Sequence, residues 1–165
     1  MHNLKKFNNE VYFTSDKKLN FIKKSHIKFL KSKVKKTIKK RIRICLHKNM
    51  KDKLHEMFIV LSRDTYIRPH KHFNKAESLH VVEGSADVIF FNDNGSLVKK
   101  VRLSKKDNFF YRLSSSTFHT FKILTKNFIF HETTEGPFLK NETLYAEWSP
   151  DEKDIKLAKK YINSL

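Results

Sequence analysis

Between Arg41 and Trp148 the chain is cut into short apolar or alternating stretches separated by turn residues. Segments of that length are too short for helices, and repeated in this way they call for an antiparallel sheet folded back on itself. Residues 41–46 alternate, with Ile42, Ile44 and Leu46 on one face and Arg41 and Arg43 on the other. Residues 57–61, 78–83, 86–91, 97–103, 109–113, 118–124, 127–133 and 143–148 read as further strands. The strongest hairpin signal is Asn94-Gly95, because Asn-Gly supplies the positive φ angles a tight hairpin needs. The chain has no Gly-rich phosphate loop, no CxxC pair and no internal repeat.

Within this frame Tyr66, Arg68, His70 and His72 follow one another at a spacing of two. In a strand that spacing puts all four on one face, toward one cavity. Pro69 restricts the segment to a sheet edge, a strand start or a bulge. His70 and His72 can each offer a ring nitrogen to one ion. Glu77 follows after a four-residue gap, enough for a tight loop that returns its carboxylate to the same place. Two His and one carboxylate are the ligand set of open sites for redox or Lewis-acid metals. The fourth ligand must come from elsewhere in the chain, and His119 is the best candidate. The cofactor expected is one divalent transition metal ion, and these mixed donors do not choose among Fe, Mn, Ni, Co and Zn.

His-x-His, four residues, Glu, six residues, Gly, here His70, His72, Glu77 and Gly84, resembles the first motif of the cupin superfamily. His119 stands where the second cupin motif ends in His. Ser114, Ser115 and Ser116 occupy the turn where that motif usually has Pro and Gly. A longer ordered string covers most of the chain. It comprises Arg41-Ile42-Arg43-Ile44-Cys45-Leu46-His47, Tyr66 to His72, Phe118-His119-Thr120, His131-Glu132, Gly136-Pro137-Phe138 and Trp148 to Glu152. It resembles the WbuC family, cupin-fold metalloproteins similar to products of O-antigen and surface-polysaccharide gene clusters.

The resemblance implies a mostly β fold, a cupin-type antiparallel β-barrel (double-stranded β-helix, or jelly roll). It also implies a metal at His70, His72, Glu77 and His119, and a homodimer. The function expected from it is action on a sugar or nucleotide sugar in lipopolysaccharide (O-antigen) biosynthesis, as an isomerase or epimerase. A non-haem metal dioxygenase and a non-catalytic small-ligand sensor or scaffold are the rival readings. Around the metal, Arg68 is either an anion clamp for a small anionic or sugar-type substrate or a solvent-facing Arg. Tyr66 either donates a proton or fills the barrel mouth. His47 either joins the substrate pocket or is satisfied by backbone, and Trp148 either walls the pocket or packs in the core. Glu132 is a general base, a partner holding a ligand imidazole, or a surface carboxylate.

At 165 residues the chain reads as one domain. A basic helix and strand segment spans 1–46, the barrel 47–149 and a C-terminal helix 150–165. Of 35 Lys and Arg, 16 fall in residues 1–50 against Glu10 and Asp16 alone, so the net charge of +18 belongs mainly to that segment. In residues 17–40 the apolar side chains Leu19, Ile22, Ile27, Leu30, Val34 and Ile38 recur at helical spacing with a lysine-rich back, and Ser15 or Asp16 offers an N-cap. Such a helix packs on its own domain or lies on an anionic membrane surface. Nucleic acid is not expected, since no DNA- or RNA-binding motif is present. At the other end Ser149 reads as the cap of the last helix, with Pro150 at its first position. The single Cys45 rules out an internal disulfide. No apolar run is long enough to span a bilayer, and the expected setting is cytoplasmic.

Overall fold

Period-two segments pair as the alternation requires, and they do so in two sheets. The computed structural model describes residues 4–7, 9–13, 19–114 and 116–165; Ser15, Asp16 and Ser115 lie outside the described residues. In chain order the elements are β1 (Leu4–Phe7), β2 (Glu10–Phe13), α1 (Lys24–Lys33), β3 (Arg41–Cys45), β4 (Leu54–Ser62), β5 (His70–His72) and β6 (Glu77–Glu83). Then come β7 (Ser85–Phe91), β8 (Leu97–Ser104), β9 (Phe110–Leu113), β10 (Phe118–Ile123), β11 (Asn127–Glu135), β12 (Thr143–Tyr145) and α2 (Ile155–Ser164). One sheet has the order β1-β2-β3-β4-β11-β6-β9 and the other β12-β5-β10-β7-β8. All pairs are antiparallel except β2 with β3. This is the mostly β, two-sheet barrel that the strand spacing predicts.

Facing side chains fill the space between the sheets. Met57, Ile59, Leu61, Leu79, Val81, Phe128 and Phe130 meet Ala86, Val88, Phe121 and Ile123 in one buried cluster. A second cluster lies outside the first sheet, where Ile22, Ile27, Leu30 and Val34 cover Ile42, Ile44, Val60 and Ile129. A third lies outside the second sheet, where Trp148 and Leu165 pack on Ile89, Phe91 and Phe118. Gly84 makes the turn between β6 and β7 at φ 84, and an added Cβ would come within 2.2 Å of Asn127 O. Only glycine suits both demands.

Four departures from the expected elements have physical causes. Of the helix expected over 17–40, the described residues 19–40 form α1 alone, followed by a 3-10 turn at Val34–Lys36, while Lys17 and Lys18 lie outside the described residues. Lys24 and Lys28, and Lys31 and Lys35, repel one another at one-turn spacing, and no acid stands in the first turn. Ile38 and Leu19 therefore fall outside the packed stripe, at 96% and 71% exposure. The last helix starts at Ile155, capped by Asp154 accepting from Leu157 N–H at 3.0 Å. Ser149 does not cap it: it lies six residues before Ile155, and its hydroxyl donates to Ala146 O at 2.8 Å. On β3 the alternation is as expected, but the arginine face is enclosed as well. Arg41 grips Glu152 at 2.9 and 3.2 Å, and Arg43 faces Glu10 at 3.7 Å and Met57 Sδ at 3.5 Å. Strand β1 has no counterpart in the periodicity of residues 1–16 and forms by pairing with β2. Among the described residues, no helix is long and apolar enough to cross a membrane.

Candidate metal centre

His70 and His72 share a face of β5, as their spacing demands, with ring centroids 5.1 Å apart. Strand β10 lies beside β5 and places His119 directly opposite His70, the rings 4.7 Å apart. Glu77 opens β6 and reaches the same interior from the other sheet. Its carboxylate stands 3.1 Å from His119 Nε2 and 3.8 Å from His72 Nε2. All four expected ligands thus line one polar pocket inside the barrel. Among the described residues, no three His, Cys, Asp or Glu side chains already stand in a metal-holding arrangement. Glu77 closes on His119 instead.

Each imidazole is anchored through its other nitrogen. Nδ1 of His70 meets Arg68 O at 3.0 Å, Nδ1 of His119 meets Thr117 O at 3.0 Å, and Nδ1 of His72 meets Thr143 Oγ1 at 3.0 Å. A carbonyl accepts only from a protonated nitrogen, so neutral His70 presents a bare Nε2 to the pocket, and His119, whose Nε2 faces Glu77 at 3.1 Å, would do so on giving up the proton it shares with that carboxylate. This is the arrangement that orients imidazoles for a metal. In donor chemistry the set, three ring nitrogens and one carboxylate, fits a divalent transition ion.

The charges are ordered by burial and by one another. Burial holds His70 down at about 3, with His119 and His72 pushing the same way. Burial alone would raise the Glu77 carboxyl, but the facing His119, with His70 and His72, outweighs it and holds Glu77 low. Burial alone would likewise lower His119, and Glu77 reverses that, so His119 is raised. Glu132 sits on the inner face of β11, opposite Leu79 of β6, two pairs along from Thr134 and Glu77. Burial and the negative Glu77 push its carboxyl up, against the opposing pull of Arg43 and His119. Two carboxyl groups in one pocket are therefore driven apart, one ionised and one inclined to hold its proton.

The remaining expected site residues are placed elsewhere. Arg68 directs its guanidinium at Ala146 O (2.8 and 3.2 Å) and Asp151 (3.3 Å), pinning the turn before α2. Tyr66 donates to Pro150 O at 2.9 Å. Neither faces the His70 pocket, because residues 66–69 precede β5 as irregular chain and the period of two does not extend to them. His47 is buried in a stack on His55, with centroids 4.1 Å apart, and its Nδ1 meets Glu56 O at 3.3 Å. Trp148 packs on Phe91 and Phe118 outside the second sheet and donates to Asp93 O at 2.9 Å. Of the catalytic and substrate residues expected, only Glu132 lies on the same inner face as the expected ligand Glu77.

Tyr111 and Thr143, which the sequence did not single out, complete the pocket. Tyr111 donates its hydroxyl to Glu77 Oε1 at 3.4 Å, and Thr143 steadies His72 from β12. Tyr145, directly opposite His70, lies at the exposed rim. A cavity of about 330 Å³ adjoins the loop joining His72 to Glu77, lined by Phe73, Lys75, Arg112, Ser114, Ser116 and Glu135. It is large enough for a small polar ligand at that end of the barrel.

Comparisons with known proteins bear mainly on the fold. The model of a domain of unknown function, DUF6016, matches residues 22–103. No curated protein matches the sequence. Among solved structures, the chain is similar to the capsular polysaccharide assembling protein CapF from Staphylococcus aureus. The TM-score is 0.54 at 16% identity, over 65% of this chain and 31% of that one. It also matches oxalate decarboxylase from Bacillus subtilis (TM-score 0.47, 21% identity, 58% and 24% covered) and procruciferin, an 11S globulin from Brassica napus (0.44, 19%, 52% and 21%). The chain thus spans about a fifth to a third of the length of these proteins. The CapF likeness agrees with the mostly β, two-sheet fold expected of this chain.

Proposed function

We propose that this chain is a metal-binding cupin of the WbuC type, acting on a sugar or nucleotide sugar in surface-polysaccharide assembly as an isomerase or epimerase. The observation that carries the metal reading is the set of three imidazoles, each anchored at Nδ1, gathered with one carboxylate inside the barrel. His70, His72, Glu77 and His119 would hold the ion. When bound, a divalent ion supplies Lewis-acid polarisation of a substrate carbonyl or hydroxyl. Glu132, inclined to keep its proton beside ionised Glu77, suits the transfer of a proton to and from a sugar carbon or oxygen. Tyr111 supports Glu77 through its hydroxyl. Support for the substrate class comes from the WbuC-like motif string and from the polysaccharide role in CapF's name. A homodimer is part of the same proposal.

Two measurements test it. Protein purified without added metal and then equilibrated with divalent ions is expected to hold one ion per chain by elemental analysis. His70→Ala and His119→Ala, folded by circular dichroism, are expected to bind it at least about a hundredfold more weakly. Equal metal content in the variants and the parent would remove the centre. Metal-loaded protein is then expected to convert a nucleotide sugar, and Glu132→Gln to keep its metal and lose conversion. Unchanged nucleotide sugars with the ion bound would remove the isomerase reading and leave a metal-binding barrel.

A further inference from the structure

The end of the barrel away from the His70 pocket carries a cationic cavity that the proposed chemistry does not use. Strand β6 runs from Glu77 in the pocket to Glu83 at that far end. There the turn after β4, the loop before β11 and the turn before β3 meet. Ser62 N–H donates to Lys40 O at 3.0 Å, Arg63 N–H to Lys126 O at 3.1 Å, and Thr65 Oγ1 to Lys40 O at 2.5 Å. Among them lies a cavity of about 280 Å³ lined by Lys35, Ser62, Arg63, Asp64 and Lys126. Three cations face one carboxylate.

The surroundings sharpen the imbalance. Residues 19–40 hold nine lysines and no acid. Lys31 is neutralised by Glu83 at 2.5 Å and Lys39 by Glu152 at 2.8 Å. Lys35, Lys36, Arg63 and Lys126 form no ion pair among the described residues. At the tip of the turn between Lys36 and Lys39 stands Ile38, almost wholly exposed. It contributes nothing to the core that Val34, four residues earlier, helps to close.

We infer that this end of the barrel docks on an anionic bilayer, with a lipid phosphate in the Lys35–Arg63–Lys126 cavity and Ile38 inserted among the headgroups. Basic side chains beside an exposed apolar tip bind such surfaces by combining charge attraction with apolar burial. The cavity falls just below the usual range for drug-sized ligands and suits a single phosphate-bearing headgroup. It has no aromatic lining on which a nucleobase would stack. The mouth beside His72 and Glu77 then faces away from the lipid. None of this depends on a metal.

The test is co-sedimentation of the full chain with vesicles of phosphatidylcholine alone or mixed with phosphatidylserine. Binding is expected only with phosphatidylserine, and is expected to fall at high salt. The double substitution Arg63→Gln with Lys126→Gln is expected to weaken it about thirtyfold. Ile38→Asp is expected to weaken it several-fold while leaving the salt dependence in place. Circular dichroism and metal content of these variants should match the parent. Equal sedimentation with neutral vesicles, no sedimentation of folded parent protein, or no effect of the double substitution would each overturn the inference. So would binding of inorganic phosphate without any affinity for vesicles, or displacement from vesicles by a single-stranded oligonucleotide.

Discussion

Phe130→Ala is expected to cost about 4 kcal/mol of folding stability, a large share of what a domain of this size possesses. Phe130 is 2% exposed, at the centre of the space between the sheets. Its ring lies 5.8 Å from Phe121 and 5.2 Å from Phe128, and Phe121 in turn meets His119 edge-on at 6.4 Å. Strands β10 and β11 are held by their own hydrogen-bonded ladders, so they cannot collapse into the void. Phe130 shares a face of β11 with Glu132, two residues on, so the void opens beside the polar pocket. Urea unfolding is expected to show the loss, with a melting temperature lower by roughly 10 °C. Phe130→Leu, which refills most of the volume, should recover most of it. A loss below about 1 kcal/mol would mean the interior is loosely packed, and the seat of His119 with it.

How much of this was legible in the sequence depends on how local each signal is. Strands could be read because the period of two is written into consecutive residues and punctuated by turns. Asn94-Gly95 is such a mark: Gly95 takes φ 87, and a Cβ there would strike the Trp148 ring at 2.8 Å. His70, His72 and Glu77 are equally local, lying within eight residues. His119 is distant in sequence, and no local spacing ties it to the other three; the residues offer it as a candidate, and the resemblance of its motif supports the choice. Tyr111 had no such help, because its partner Glu77 lies 34 positions away and nothing in residues 109–113 marks it as other than strand. Arg68 and Tyr66 show the opposite failure. A pattern that held at His70 and His72 was extended back across Pro69 into chain that is not strand. The N-terminal helix was overextended for a related reason. Apolar spacing continues to Ile38, but spacing does not register the mutual repulsion of lysines that stops the helix at Lys33.

Acidification from pH 6.5 to 4 is expected to remove about 3 kcal/mol of stability through His47 alone. His47 is 7% exposed and His55 4%, with their rings stacked at 8° between planes. Burial first, and then the facing His55, push the His47 imidazole down to about 4. His55 is lowered in the same sense, by burial and then by Lys75. The unfolded chain takes up a proton at His47 near pH 6.5 and the folded chain resists until about 4. Stability is therefore fully present above 6.5 and falls as the pH drops through that window. His70, held at about 3, acts in the same direction, whereas His119 acts oppositely. Raised by Glu77, its contribution is present below 6.5 and is lost only as the pH rises through its folded value. His47→Phe isolates the first share, since it keeps a ring against His55 and removes the titrating group at the expense of the contact with Glu56 O. Urea unfolding at a series of pH values is expected to show the variant losing about 3 kcal/mol less than the parent between 6.5 and 4. Parallel curves would mean that His47 takes up protons as readily in the folded barrel as in the unfolded chain.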